Sequence, residues 1–225
     1  MAESMGNLLP VYVVADESAS MEDVIDDLND GLGRLHEALL GEPMAAAKVR
    51  FSILGFSNDV QVRLQMADLR RENEIPKLQA RGSTAYTRVF QDLRRRIPAD
   101  VAALKAQKYA VHRPAVFFLS DGVPTDGDGW RNEHRQLVDH GATPTAPNII
   151  AFGIGAAEAS TILDVATKED YGFMAMAEVD LAAAIAKFCT ALTKSIVQSG
   201  RTLGSAQPEL VVERPQNFKM AIDVV

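Results

Sequence analysis

Apolar residues fall along this chain in short β-branched runs separated by stretches of helical spacing. Residues 8–15 (LLPVYVVA) form an unbroken apolar run that ends at Asp16, the pattern of a strand covered on both faces. Beyond it, Ile25, Leu28, Leu32, Leu35 and Leu39 recur at intervals of three and four, predicting a helix over 21–40 closed by Gly41 and Pro43. Residues 49–56 and 60–64 are strand-like runs joined by Ser57-Asn58-Asp59, a hairpin signal that predicts one antiparallel edge. The polar stretch 68–81 has room for a short helix and closes at Gly82-Ser83-Thr84. Helical spacing resumes over 85–108, with a break expected near Pro98.

The second half repeats the alternation. Residues 114–120 (PAVFFLS) are the most strand-like run and also end on an aspartate, Asp121. A loop rich in Gly, Pro and Asp leads to a helix over 130–138, then a strand at 148–155, a helix at 160–167, a strand at 171–175 and an amphipathic helix at 179–198. Strands alternating with helices predict an α/β domain over residues 1–200, with a mostly parallel sheet and right-handed crossovers. Residues 201–225 read as a tail with one extended segment at 209–213, packed on the domain or used for contacts.

Bulk properties narrow the function classes. The 225 residues suffice for one α/β domain, and 47% hydrophobic with 24% charged residues excludes disorder over most of the length. A net charge of -7 repels phosphate backbones. The basic run Arg94-Arg95-Arg96 sits on a predicted helix without aromatic neighbours and reads as a solvated face, so no nucleic acid partner is expected. The single cysteine, Cys189, excludes an internal disulfide and reads as a small buried hydrophobe. Residues 1–10 lack a basic segment followed by an apolar core, and no stretch reads as the ~20 apolar residues of a membrane span. The expectation is a cytoplasmic protein without a membrane partner.

Candidate chemistry lies at the strand ends, where open α/β sheets bind ligands. Two strands end in loops of hard oxygen donors, Asp16-Glu17-Ser18-Ala19-Ser20 and Ser120-Asp121-Gly122-Val123-Pro124-Thr125-Asp126, and Gly82-Ser83-Thr84 adds a hydroxyl. All donors are oxygen, which selects Mg2+, Mn2+ or Ca2+ over zinc. Each loop also has a plainer reading: Ser20 with Asp23 as a capping box, Thr84 as a helix cap, Asp121-Gly122 as a turn. The order of all three, each between a strand and a helix, favours one shared site.

These residues resemble the metal-ion-dependent adhesion site (MIDAS) of the von Willebrand factor A (vWA) family, with Asp16, Ser18 and Ser20 as its Asp-x-Ser-x-Ser loop, Thr84 from the second loop and Asp121 from the third. The resemblance spans residues 8–198 and includes the runs 51–57 and 150–155. It implies a three-layer, Rossmann-like fold with helices on both faces of the sheet. It further implies that Ser18, Ser20 and Thr84 hold a divalent cation through hydroxyls, with Asp16 and Asp121 direct or through water. That cation, Mg2+ with Mn2+ or Ca2+ as alternatives, would grip a Glu or Asp of a protein partner. Ala19 departs from the family's usual Gly, Glu17 adds a carboxylate that lies in solvent or modifies the rim, and Thr87 rivals Thr84, which is preferred because it directly follows Gly82-Ser83. The third loop is most similar to the bacterial cytoplasmic TerY-type branch associated with tellurium resistance, which implies a stress-response role.

The rival reading is a Mg2+-dependent hydrolase or phosphoryl-transfer enzyme. Against it, Ser18 stands where an Asp-x-Asp phosphatase has its second aspartate, and no phosphate-binding Gly-rich loop or Gly-x-Ser-x-Gly elbow occurs. His36, His112, His134 and His140 are scattered and read as surface or helix-face residues. With no general base near the loops, the chain is expected not to be an enzyme.

Overall fold

The computed structural model describes residues 5–203, 205 and 207–224. It contains β1 (Asn7–Asp16), β2 (Val49–Phe56), β3 (Val60–Ala67), β4 (Ala110–Val111), β5 (Ala115–Ser120), β6 (Asn148–Gly153), β7 (Gly172–Ala175) and β8 (Phe218–Met220). The sheet runs in the order β3-β2-β1-β5-β6-β7-β8, with β4 beside the start of β1. β1 pairs in parallel with β2 and with β5, and β6 and β7 continue in parallel. β3 forms the antiparallel edge on β2. The tail contributes a further antiparallel strand, β8, on β7.

Six α-helices cover the sheet: α1 (Ile25–Leu40), α2 (Pro43–Ala46), α3 (Tyr86–Ala106), α4 (Trp130–Val138), α5 (Ala159–Val165) and α6 (Leu181–Thr202). The alternation of side chains along each strand assigns the layers. Val11, Val13 and Ala15 of β1 face Leu28, Leu32 and Leu35 of α1 and Ile185 and Phe188 of α6. Tyr12 and Val14 face the other layer, with Phe90 and Leu93 of α3, Trp130 of α4 and Ile162 of α5. Eight consecutive β1 residues, 8–15, are buried with both faces covered, which is why the run carries no polar residue. Each large side chain so buried contributes about 1.5–3 kcal/mol.

Three elements differ from the sequence reading. α1 starts at Ile25 because residues 19–21 form a separate 3-10 turn. α3 runs unbroken through Pro98: the carbonyl left unpaired by proline belongs to Arg94, an exposed residue whose backbone water can reach. α6, 22 residues with a mean hydropathy of 1.2, is long and apolar enough by length and composition to cross a membrane. Its apolar side is instead spent on α1 and the sheet, where Ala184, Ile185, Phe188, Leu192 and Ile196 are buried.

The tail is tied to α6 by a ladder of hydroxyls. Ser195 Oγ accepts from the backbone N–H of Glu213 at 2.9 Å, and Ser199 Oγ from that of Val211 at 2.9 Å. Thr202 Oγ1 donates to the Glu209 carbonyl at 2.7 Å. Hydroxyls on neighbouring turns of one helix face thus meet alternate residues of an extended strand.

Candidate metal site

Chain order turns to opposite sides at β1: β2 and β3 lie on one flank, β5, β6 and β7 on the other. The gap beyond β1 and β5 is therefore the switch point of the sheet, where α/β folds place ligands. Asp16 is the last residue of β1, and Asp121 follows Ser120, the last residue of β5. Both carboxylates are buried, Asp16 at 0% and Asp121 at 4% exposure.

Hydroxyls bind the loops to one another at this point. Ser18 Oγ lies 3.0 Å from Ser20 Oγ and 3.4 Å from Asp121 Oδ1. Asp16 Oδ1 accepts the Ser18 backbone N–H at 2.8 Å, and Ser120 Oγ donates to Asp16 Oδ2 at 2.6 Å. Thr84 is buried, and its Oγ1 lies 3.8 Å from where a β-carbon on Gly122 would stand. Backbone bonds fix the three loops together: Ala19 N–H to the Gly82 carbonyl at 3.1 Å and Thr125 N–H to the Thr84 carbonyl at 2.8 Å. Asp16, Ser18, Ser20 and Asp121 are joined by these contacts and Thr84 stands across from Gly122, Ser20 exposed and the other four buried.

Electrostatics separate Asp16 from its neighbour. Glu17 is also 0% exposed, but it turns away from the loops and receives Arg63 at 2.8 Å, Arg81 at 2.9 Å and the Gln79 N–H at 3.0 Å. It is neither solvated nor part of the rim, contrary to the sequence reading; its side chain fills the space that Gly55 leaves open. Asp16 and Asp121 have no ion-pair partner among the described residues. Burial pushes the Asp16 carboxyl up to about 6, against the lowering pull of its hydrogen bonds with Ser120 and Ser18 and with a further push from Asp121. Two buried carboxylates without a cation are costly, and a divalent ion among these oxygens would offset that cost. Among the described residues no cluster of three or more His, Cys, Asp or Glu side chains occurs; the donor set is two carboxylates and three hydroxyls, which suits a hard cation.

Several supporting residues escaped the sequence reading. Asp126 reaches back 40 residues to cap α3, accepting the Tyr86 N–H at 3.2 Å and the Thr87 N–H at 2.8 Å. The cap of α3 is thus Asp126 rather than Thr84, and Thr87 faces Gly129 instead of the loops. Asn58 Oδ1 accepts from Ser83 N–H at 2.8 Å and Ser83 Oγ at 2.6 Å, steadying the turn at Gly82, whose φ is +60°. Below the loops, Phe56, Tyr86, Phe90, Phe118 and Trp130 pack ring on ring, with Phe56 and Phe118 stacked at 5.1 Å. No local spacing announces these long-range partners. The histidines lie elsewhere: His36 and His134 are buried and bonded to the carbonyls of Leu69 and Val165.

This is the fold of von Willebrand factor A domains. No family model matches the sequence, and no curated protein matches it. Among solved structures, the pilus adhesin SpaC from Lactobacillus rhamnosus GG aligns with a TM-score of 0.65 at 13% identity, over 87% of this chain and 31% of that one. Proximal thread matrix protein 1 from the mussel byssus, with a zinc-occupied MIDAS motif, aligns at 0.58 and 13% identity, over 87% and 49%. A von Willebrand factor type A protein from Catenulispora acidiphila aligns at 0.51 and 14% identity, over 85% and 43%. The chain thus spans less than half the length of each of these structures.

Proposed function

We propose that this chain is a metal-dependent protein-interaction module, in which Asp16, Ser18, Ser20, Thr84 and Asp121 hold one divalent cation that takes a partner's Glu or Asp. The observation that carries this reading is the buried pair Asp16 and Asp121, without a cationic partner but ringed by hydroxyls. A bound cation would supply an electrophilic position for an incoming carboxylate.

Support also comes from what surrounds the loops. His36 and His134 are bonded to the carbonyls of Leu69 and Val165, and His112 and His140 lie at the other end of the strands, beside Leu8 and Arg113, so among the described residues no imidazole base is placed at the loops. The structural neighbours described as a pilus adhesin and a thread matrix protein are not described as enzymes. The net charge of -7 supports a reading without nucleic acid. Mg2+ is the proposed ion on the oxygen-only donor set; the zinc in the thread matrix protein's MIDAS makes zinc the competitor to include. The third loop, with Asp121 and Asp126, is what supports a cytoplasmic, stress-related role of the TerY type.

Isothermal titration with Mg2+, Mn2+, Ca2+ and Zn2+ tests the site, followed by affinity capture with Mg2+ against EDTA. Saturable binding that Asp121→Ala abolishes, and partners released by EDTA, are the expected results. Partners retained at equal strength in EDTA would refute the metal bridge.

A further inference from the structure

An open cleft of about 570 Å³ is lined by Asn58, Asp59 and Val60 on one wall and Arg88, Gln91, Asp92 and Arg95 on the other. The first wall is the β2–β3 turn and the start of the edge strand β3. The second is one face of α3, since positions 88, 91, 92 and 95 follow helical spacing. The cleft lies beside the second loop of the candidate site: its wall residue Asn58 accepts from Ser83, the residue before Thr84.

The charges lining this cleft are unequally committed. Both Asp92 oxygens are taken by Arg95 and Arg96. Asp59 is paired with Arg81. Arg88 is exposed and has no hydrogen bond or ion pair among the described residues. Arg95 uses only one nitrogen on Asp92 and is 80% exposed. Asn58 spends its carbonyl oxygen on Ser83 and keeps its amide N–H groups. What remains uncommitted among the charged groups is cationic, in a chain whose net charge is -7. A local positive wall beside a metal site has one clear use: it draws in an acidic partner that the protein's overall charge would repel.

We infer that the cleft is a second subsite for the same partner, taking a further acidic side chain on Arg88, with Arg95 beside it, while the first acid sits on the metal. This rests on the metal-bridge reading above. The four residues from Thr84 to Arg88 put the two subsites about 6–10 Å apart. An extended segment covers about 3.3 Å per residue, so the partner carries its two acids two or three positions apart.

Binding of short labelled peptides with one Glu, or with a second Glu two or three positions on, tests this in Mg2+ and in EDTA. Amide shifts of isotope-labelled protein locate the contact. The second acid should raise affinity about threefold at low salt, the gain of one exposed ion pair, and the gain should fade at high salt. Within Arg88→Glu the two-acid peptide should bind no better than the one-acid peptide does to the same variant. No gain from the second acid in Mg2+, or a gain that survives Arg88→Glu, overturns the subsite and leaves the metal bridge standing. The one-acid peptide reads the bridge separately: equal binding of it in Mg2+ and in EDTA refutes the bridge, and the paired subsite with it. If single-stranded DNA displaces the two-acid peptide from wild type as well as unlabelled peptide does, the cleft is a general polyanion surface and the assignment to a protein segment fails.

Discussion

Asp16 and Glu17 are consecutive, both fully buried, and opposite in circumstance: Glu17 is held by two arginines, whereas Asp16 meets only hydroxyls, a backbone N–H and another carboxylate. Successive side chains of a strand leave on opposite sides. One acid is therefore built into the scaffold and the other is left facing the loops.

Replacing Asp16 by Asn should separate metal binding from folding. The amide keeps the shape and removes a buried, unpaired charge, so the unfolding midpoint in EDTA should hold or rise. Wild type should gain about 2.7 kcal/mol at a hundredfold excess of metal over its dissociation constant. Asp16→Asn should gain none. Thermal melts with and without Mg2+ read both effects, and an unaltered metal-induced gain would remove Asp16 from the ligand set.

Arg81→Ala should weaken the site without touching a ligand. Glu17 would retain Arg63, and Arg81 is itself 24% exposed, so the loss should be about 1–3 kcal/mol, below the full cost of orphaning a buried charge. The Arg81 side chain also ties the residue before Gly82 to Glu17 and Asp59. Loosening of residues 82–84 should therefore lower metal affinity several-fold by titration. Denaturant melts giving full stability would show that Arg63 suffices alone.

Stability should decline in acid through His134. Burial lowers its pKa below 6.5, so the folded ring stays neutral while the unfolded chain takes up a proton as pH falls through 6.5. No penalty exists above that pH. Below it, stability falls by up to about 1.4 kcal/mol per pH unit until the folded ring also protonates. The pH slope of His134→Asn, compared with wild type between pH 7 and 5, isolates the contribution. Parallel slopes would count against it.

Gly31→Ala should destabilise despite the better helix propensity of alanine. A methyl there would overlap Cys189 Sγ across the α1–α6 contact, and overpacking costs about 1–3 kcal/mol. The same closeness shields the thiol, whose pKa burial pushes up to about 12, so native wild type should react slowly with thiol reagents. Fast labelling of wild type would contradict the packing.

That the Asp16 and Asp121 loops lie side by side was legible because each follows a recognisable strand, so local order carried the information; Thr84 follows a long irregular stretch and had only its place before a helix to mark it. Helix and strand placement followed from periodicity for the same reason. What was not legible acts across distance. Glu17 finds partners 46 and 64 residues away, Asp126 caps a helix 40 residues upstream, and β8 lies in a tail with no strand pattern. Pro98 misled because its rule concerns a carbonyl whose access to water depends on which side of α3 faces out.

The backbone bonds from Ala19 to Gly82 and from Thr125 to Thr84 weld the three loops into a single rigid jaw. The second loop carries both welds, so replacing it would disturb the other two loops at once. Changes of ion preference should therefore come from single side chains, first at Ser20, the one donor on the open lip.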